Sequence, residues 1–433
     1  MYALVDGNNF YVSCERAFRP SLLNRPVIVL SNNDGCAIAR SNEAKALGIR
    51  MGHPWFQIQS EFKDAGVVAL SANFTLYGDM SNRMHSIAAG LGHIQEVYSI
   101  DESFVDLQGI HGDQTARAQR MRERILQWTG IPTGIGIANT KTLTKLANHV
   151  AKSADRKPGS YPKALARVCN LSTLPASDLD AVFAATDVGE VWGIGRRIGE
   201  QLRSAGVLTV LDAARLDPST VRTRWSVVLE RTVRELQGQA CIPLEDEPAS
   251  KQEIACTRSF GQTVTGLPEL MEAVTEFVAR AGEKLRKQGS VAGQVLVFIR
   301  TSPFRKHDKQ LSQSITVPLR RPTANTPELA AAAIAGLRAI YRPGYSYAKA
   351  GVMLLDLSDA DVEQGELDLD HHAPGSTHLM ATVDAINDRF GKGALRLASA
   401  GVQTKARRWE MRQELKTPNY TTSWKDLPLA YAA

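Results

Sequence analysis

Two adjacent carboxylates, Asp101 and Glu102, stand between the short apolar runs Val97-Tyr98-Ser99-Ile100 and Ser103-Phe104-Val105-Asp106-Leu107. The runs read as strands of a hairpin with the acids at its tip. A two-residue turn selects Asn-Gly or Asp-Gly because both central residues take positive φ, so Glu102 is a poor turn residue and calls for another explanation. A third carboxylate, Asp6, closes the buried-type strand Tyr2-Ala3-Leu4-Val5 and is followed by Gly7-Asn8. Three carboxylates at strand ends can share a divalent cation site. Hard oxygen ligands with open positions suit Mg²⁺, and two such ions stabilise the attacking and leaving oxygens of an in-line phosphoryl displacement. Singly, an acidic dipeptide in a loop is ordinarily a solvated turn, and an Asp at a strand end is ordinarily a cap. The phosphate-directed cations elsewhere in the chain shift that balance.

The elements that must position these acids can be read in order. Pro26 to Ser31 is a strand, followed by the polar turn Asn32-Asn33-Asp34-Gly35 and a helix from near Ser41 to before Gly48. Arg40 and Lys45 flank that helix, and a positive pair beside a turn rich in free N–H groups can receive phosphate. Thr133 to Ile137 is a strand, and a helix then carries Lys141, Lys145, Asn148 and Lys152. The lysines are expected to share a broad basic flank rather than a single stripe. Together these elements suggest a mixed sheet with Asp6 and the Asp101-Glu102 pair on neighbouring strands.

From about Leu174 to Gly238 the texture changes to short, arginine-bearing helices centred on Val191-Trp192-Gly193-Ile194-Gly195-Arg196-Arg197. A Gly-x-Gly turn lets backbone N–H groups approach a phosphate, so Gly193, Gly195 and Arg196 read as a helix-hairpin-helix that grips a nucleic-acid backbone; a simple packing turn is the alternative. The stretch Leu244 to Pro248 reads as a linker. Beyond it, strands at Gln252 to Phe260, Gly293 to Ile299, Ser312 to Pro318 and Ala348 to Leu357 alternate with helices at about Pro268 to Arg286 and Pro327 to Ile340, the order of a split βαβ domain. Arg258, Lys284, Arg300, Arg305, Lys306 and Lys309 read either as a basic face that follows phosphates without reading bases or, equally well from spacing alone, as an ordinary solvated face. The last region, from Ser358, opens acidic and loop-like, continues in a helix from Ser376 to Phe390 and a basic stretch, and reads as an interaction tail.

With 433 residues, several domains are expected. A hydrophobic content of 43% and a charged content of 22% are those of a soluble globular chain, and a net charge of +6 favours a polyanionic partner. No signal peptide and no membrane span are expected. The five cysteines, Cys14, Cys36, Cys169, Cys241 and Cys256, lack zinc spacing and read as reduced thiols of a cytoplasmic protein.

The combination of Asp6-x-Asn8-x-Phe10-Tyr11, Ser31-Asn-Asn-Asp-Gly-Cys36, Glu43-Ala-Lys45-Ala-Leu-Gly48, Tyr98-Ser-Ile-Asp101-Glu102, Gly134-Ile-Gly-Ile137 and Trp192-Gly-Ile-Gly195 resembles the Y-family DNA polymerases, over the whole chain and most closely in their UmuC branch. The resemblance implies a multidomain α/β right hand: a ferredoxin-like palm (1–11 and 78–168), fingers (12–77), a helix-hairpin-helix thumb (169–243), a split βαβ little finger (244–357) and a C-terminal interaction region (358–433). It implies an error-prone translesion DNA polymerase of an SOS-type damage response, found in the bacterial cytoplasm and at the nucleoid. Asp6, Asp101, Glu102 and the Gly7 carbonyl would hold two Mg²⁺ ions. Asn8, Phe10, Tyr11, Cys36, Arg40, Lys45 and Lys152 would meet the incoming dNTP, with Tyr11 as the steric gate against a 2′-hydroxyl, Lys45 and Lys152 on the triphosphate, and Cys36, Ala37 and Ile38 roofing the base pair. Implied partners are primer-template DNA, a processed UmuD-like dimer and RecA filaments.

Two departures stand out. Gly7 is smaller than the residue many relatives carry and is expected to loosen the strand end. Glu366-Leu367-Asp368-Leu369-Asp370 lacks the Gln and the aromatic anchor of a sliding-clamp peptide, so clamp binding there is doubtful. Two other classes are weighed against the polymerase: a nucleotide cyclase on a related palm, which needs no duplex grip such as Trp192-Gly-Ile-Gly195, and a DNA-binding scaffold with a dead site, against which the intact carboxylates argue.

Overall fold

The computed structural model describes the chain except for residues 246, 248, 306, 363–375, 402–406 and 429–433. The expectations for Lys306, for the clamp-like stretch 366–370 and for parts of the linker and basic tail therefore lie outside the described residues. The chain divides into two units, one of Met1–Ser31, Gly35–Pro248 and Leu415–Ala433, the other of Asn32–Asp34 and Ala249–Glu414.

In chain order the first unit runs β1 (Tyr2–Gly7), α1 (Phe10–Phe18), β2 (Val27–Leu30), β3 (Ala37–Arg40), α2 (Asn42–Ala46), α3 (Trp55–Glu61), β4 (Val68–Ser71), α4 (Phe74–Ala88), β5 (Gln95–Val97), β6 (Glu102–Asp106), α5 (Gln114–Thr129), β7 (Thr133–Ala138), α6 (Lys141–Arg156) and β8 (Val168–Asn170). Five short helices follow, α7 (Ala176–Ala184), α8 (Arg196–Ser204), α9 (Val210–Ala214), α10 (Pro218–Arg224) and α11 (Val227–Leu236). A mixed sheet in the order β5-β6-β1-β7-β8 is its centre, and a smaller sheet is ordered β3-β2-β4. Ala3, Val5, Val105 and Ile135 of the large sheet share one core with Met80, Met84, Met121 and Ile125 of α4 and α5. Leu143, Leu146 and Val150 of α6 share another with Phe183, Leu202 and Leu229 of the short helices.

Two glycines of β7 set how closely α6 approaches. A Cβ on Gly136 would lie 2.3 Å from the Asn148 backbone nitrogen, and one on Gly134 would lie 2.9 Å from Asn148 Oδ1 and 3.1 Å from Lys152 Cγ. Both are below ordinary contact distance, so Gly-Ile-Gly-Ile is what lets the helix lie on the strand. The Thr140 side chain caps α6 by accepting from Leu143 N. The three lysines do form one stripe, contrary to expectation: residues 4 and 11 positions apart differ by only about 40° and 20° around a helix of 3.6 residues per turn.

The hairpin differs from its reading. The last paired residues are Val97 and Ser103, so the connection spans 98–102 and is not a two-residue turn; neither Asp101 nor Glu102 has positive φ. The objection to Glu102 on turn grounds therefore lapses. Ser99 builds the loop instead: its Oγ accepts from Asp101 N at 3.3 Å and Glu102 N at 3.1 Å and donates to Asp101 Oδ1 at 2.7 Å. Nor does Gly7 loosen the strand end. A Cβ there would lie 2.8 Å from Phe10 Cδ2 and 3.3 Å from Met84 Sδ, and Gly7 N donates to Asp101 O at 2.8 Å. The missing side chain is replaced by core.

The second unit carries β9 (Ile254–Val264), α12 (Leu267–Lys287), β10 (Ser290–Thr301), β11 (Ser312–Thr323), α13 (Thr326–Ile340), β12 (Tyr347–Asp359) and α14 (Ser376–Phe390). Its sheet is ordered β11-β10-β12-β9, every neighbour antiparallel, and α12 and α13 share its core, the predicted β-α-β-β-α-β unit.

Candidate active site

Strand register brings the first two acids together. Asp6 on β1 pairs directly with Glu102 on β6, while β1 pairs on its other side with β7, under α6. The lysine stripe of α6 then meets three carboxylates in succession. Lys141 Nζ donates to both oxygens of Glu96 at 2.8 and 2.7 Å, Lys145 Nζ to Glu102 Oε2 at 2.8 Å, and Lys152 Nζ to Asp6 Oδ2; Asn148 Nδ2 also donates to Asp6 Oδ2, at 3.1 Å. Asp101 is bound to Ser99 Oγ instead, and among the described residues no three acidic, His or Cys side chains stand close enough together to hold a metal. The three expected carboxylates thus reach the same end of the sheet: Glu102 interacts with Asp6 directly, and Asp101 lines a cavity with Asp6.

The electrostatics show what this end requires. Burial above all raises the Asp6 carboxyl, to about 7; the charge of Glu102 adds to the effect and Lys152 opposes it. Glu102 goes the other way: burial raises it, but the hydrogen bond and charge of Lys145 outweigh that and hold it below the usual carboxylate range. The donor set is all oxygen and already attracts two ammonium groups, a set that fits a hard divalent cation. Lys145 is itself enclosed, 4.2 Å from the ring centre of Tyr98 and 5.5 Å from that of Trp192, whose indole N–H donates to Tyr98 Oη at 3.3 Å. Lys145→Met should leave a mostly buried Glu102 without its hydrogen-bonded cation and destabilise the fold by roughly 1–3 kcal/mol, the cost of leaving a buried polar group unsatisfied. A urea titration with Lys145→Arg as the charge-retaining control measures it, and equal loss in both variants would refute the pairing.

Beside Asp6 opens a cavity of about 370 Å³ lined by Asp6, Gly7, Asn8, Phe10, Tyr11, Arg40, Lys45, Asp101 and Lys152, with Ile38, Asn9 and Arg156. Phe10 belongs to the core, and its ring closes the floor next to Gly7. Asn8 N donates to Pro132 O at 2.8 Å, and its Oδ1 is buried without a partner. Tyr11 stacks on Tyr77, ring centres 4.5 Å apart and 15° from parallel. Lys45 Nζ donates to Asn9 Oδ1. Burial first, then the charges of Arg156, Arg40 and Lys152, lower its ammonium to about 8. Four cations, Arg40, Lys45, Lys152 and Arg156, line the cavity with three carboxylates, Asp6, Asp101 and Asp155, so the wall offers both cations for phosphate and oxygens for a metal ion. Arg156 and Asn9 were not singled out from sequence, although Arg156 stands one helical turn beyond Lys152 and that spacing was there to be read.

Cys36 does not line the cavity. Its Sγ lies 3.3 Å from Ser31 Oγ and its backbone bridges Pro54, while Ala37 is fully buried; of the three expected roof residues only Ile38 faces the space. Cys36 precedes β3 and is held by Ser31 and Pro54, whereas Ile38, Ala39 and Arg40 of β3 line the cavity in succession.

Gly193, Gly195 and Arg196 also belong to the first unit but lie outside this cavity. Gly193 has φ +91°, which only glycine adopts readily, no neighbour lies within 4 Å of a Cβ on Gly195, and the Arg196 side chain is 92% exposed. In the second unit Arg258 and Arg300 point to opposite sides of the sheet. Arg258 shares the core-facing side of β9 with Cys256 and Phe260 and feels the charges of Arg280 and Glu276 on α12. Arg300 is exposed on the other side, 5.9 Å from the Phe298 ring centre and registered with Lys349. The two therefore do not form one basic face.

Comparison with known proteins accounts for this arrangement. Residues 5–149 match the model of the impB/mucB/samB family, residues 251–367 that of the family's C-terminal domain, and residues 377–430 a domain of unknown function. Protein UmuC of Salmonella typhimurium is 43% identical over 431 residues, and protein ImpB of Salmonella typhimurium 42% over 433, each match covering 99% of both chains. A Y-family DNA polymerase chimera of Dbh and Dpo4 superposes with a TM-score of 0.65 at 17% identity, over 83% of this chain and 99% of that one, and so shares its fold. The chain belongs to the impB/mucB/samB family, the UmuC branch of the Y-family DNA polymerases.

Proposed function

We propose that the cavity beside Asp6 is the nucleotidyl-transfer site of an error-prone translesion polymerase. Membership of the UmuC branch makes the chain a DNA-directed DNA polymerase of the translesion type, and the observation that supports this site for it is a cavity that presents Asp6 and Asp101 together with Tyr11, Lys45 and Lys152, with Glu102 paired to Asp6 on the neighbouring strand. Asp6, Asp101, Glu102 and the Gly7 carbonyl would hold two Mg²⁺ ions, which when bound lower the pKa of the primer 3′-hydroxyl and neutralise charge on the triphosphate and the leaving pyrophosphate. The chain's own residues do the rest. Lys45, Lys152, Arg40 and Arg156 orient the triphosphate, with Lys45 a point charge rather than a bidentate grip. Tyr11 lies under the sugar, and Ile38 meets the base.

On this reading the large sheet is the palm, the small sheet the fingers, the arginine-bearing helices the thumb and the second unit's sheet the little finger. Gly193, Gly195 and Arg196 hold the duplex backbone, with Arg300 and Lys349 as the phosphate-facing cations of the little finger. A processed UmuD-like dimer and RecA filaments are the partners, in the bacterial cytoplasm and nucleoid; among the described residues no helix is long and apolar enough to cross a membrane.

Primer extension across an abasic site, with Mg²⁺, dNTPs, the UmuD-like dimer and activated RecA added one at a time, tests the reading. Wild type should extend and Asp101→Ala should not; extension by neither, or equally by both, would overturn it.

A further inference from the structure

The stripe of α1 that carries Tyr11 continues through Glu15 to Phe18, positions i, i+4 and i+7 on one helical face. Glu15 is fully buried, although no cation among the described residues hydrogen-bonds to it. Its Oε1 accepts from Tyr77 Oη at 2.7 Å and from Thr417 Oγ1 at 3.1 Å, while its Oε2 is buried without a partner. Tyr77 is the residue whose ring stacks on Tyr11, and Phe74 packs edge-on against both rings at 6.0 and 6.2 Å. A buried carboxylate whose hydrogen bonds among the described residues come from two hydroxyls, with the Arg19 charge acting from outside that set, is costly, so its retention calls for a reason.

Thr417 comes from the far end of the chain. Residues 415–420 are fixed along this part of the first unit at several points. Leu415 N donates to Ser71 Oγ at 2.9 Å, Leu415 O accepts from Ser71 N at 3.1 Å, and Lys416 forms a single parallel bridge with Ser71, the last residue of β4. Buried Asn73, the N-cap of α4, donates to Thr417 O at 3.0 Å and to Pro418 O at 3.1 Å. Tyr420 stacks on Phe18, centres 5.0 Å apart and 14° from parallel. The strap thus contacts both ends of the Glu15–Phe18 stripe and the capping residue of the helix that carries Tyr77.

We propose that the C-terminal strap, through Thr417, Glu15 and Tyr77, sets the position of the Tyr11 ring and so tunes the exclusion of ribonucleotides. This assigns a role to the end of the 377–430 segment, whose matching family model carries no function. It rests on Tyr11 being the steric gate. Thr417, Glu15 and Tyr77 are positioning residues, since none of them lines the cavity.

The test is single-nucleotide insertion by the full chain with its UmuD-like and RecA partners, measuring kcat/KM for a dNTP and for the matching rNTP. Tyr11→Ala serves as the reference: if it leaves the dNTP/rNTP ratio unchanged, the gate reading itself fails. Given that Tyr11→Ala relaxes the ratio, Thr417→Val is expected to lower it about 3- to 10-fold, the worth of one hydrogen bond. The change should come from faster rNTP insertion at an unchanged dNTP kcat/KM, and Thr417→Ser should restore it. Tyr77→Phe, which keeps the stacked ring, should shift the ratio similarly, and the double variant should add little because both act through Glu15. It also carries the test if Thr417→Val fails to fold. A relaxed Tyr11→Ala with an unchanged ratio in Thr417→Val and Tyr77→Phe, or a proportional loss for both nucleotides, would overturn the proposal.

Discussion

Asp6→Asn is expected to lower the rate of nucleotide insertion by about 10³-fold or more while making the metal-free protein more stable at pH 8. The catalytic loss follows from removing a charged oxygen donor at the site proposed above for two Mg²⁺ ions, a contribution of several kcal/mol to transition-state stabilisation. The stability gain follows from linkage. Asp6 titrates near 3.8 as an ordinary carboxyl and at about 7 in the fold, chiefly because it is buried. The folded state therefore keeps a proton that the unfolded chain releases between those values, and stability falls as pH rises through that window. The loss is complete above about 7 and has an upper size of roughly 4 kcal/mol for a shift of about three units. Asn cannot ionise and escapes it. Denaturant midpoints of both proteins without divalent ions at pH 5 and pH 8 check this: the variant's advantage should appear at pH 8 and shrink at pH 5. Mg²⁺ should raise the wild-type midpoint more than the variant's. An advantage independent of pH would mean that Asp6 is not a strained carboxylate.

The second large effect belongs to Tyr11. Its ring lines the cavity and is clamped between the parallel Tyr77 and the edge-on Phe74. A ring held on two sides cannot swing away from an extra hydroxyl on a sugar lying against it, so the clash is felt in full. Tyr11→Ala is expected to reduce discrimination between dNTP and rNTP by about 10²–10³-fold, equivalent to roughly 3–4 kcal/mol, mostly through improved rNTP insertion. Tyr11→Phe keeps the ring and should retain most of the discrimination. Single-turnover insertion with matched nucleotide pairs measures both, and equal relaxation by the two substitutions would assign the selectivity to the hydroxyl rather than to the ring.

Much of this site was legible in the chain because it is carried by local patterns. The buried run before Asp6, the two apolar runs around Asp101-Glu102 and the periodicity of the lysine helix each specify an element, and adjacent strands follow from the order of those elements. The lysine stripe was also there in the spacing, and helical geometry alone corrects the expectation of a diffuse flank. The hairpin was recognised although its turn was misjudged: the apolar character of Tyr98 and Ile100 reads as strand, but pairing stops at Val97 because Ser99 Oγ satisfies the backbone N–H groups that a ladder would otherwise use.

Other features could be settled only once the chain was folded. Cys36 carries no signal that separates it from Ile38, yet one is bonded to Ser31 and the other faces the cavity. Arg258 and Arg300 look alike in sequence, but the parity of each along its strand puts one toward α12 and the other on the open face.

By itself, then, the sequence determined which elements form, which of them end in carboxylates, and the family to which their order belongs, because helix and strand periodicity and turn chemistry act over a few residues. Tertiary structure alone decided who meets whom: that Lys145 and Lys152, rather than Asp101, sit on Glu102 and Asp6, that Phe10 fills the space beside Gly7, and that Thr417 returns across the chain to Glu15. Such partnerships depend on strand register, on how closely the glycines of β7 admit α6, and on where a distant strap meets the end of β4. None of these is a property of a local window of residues.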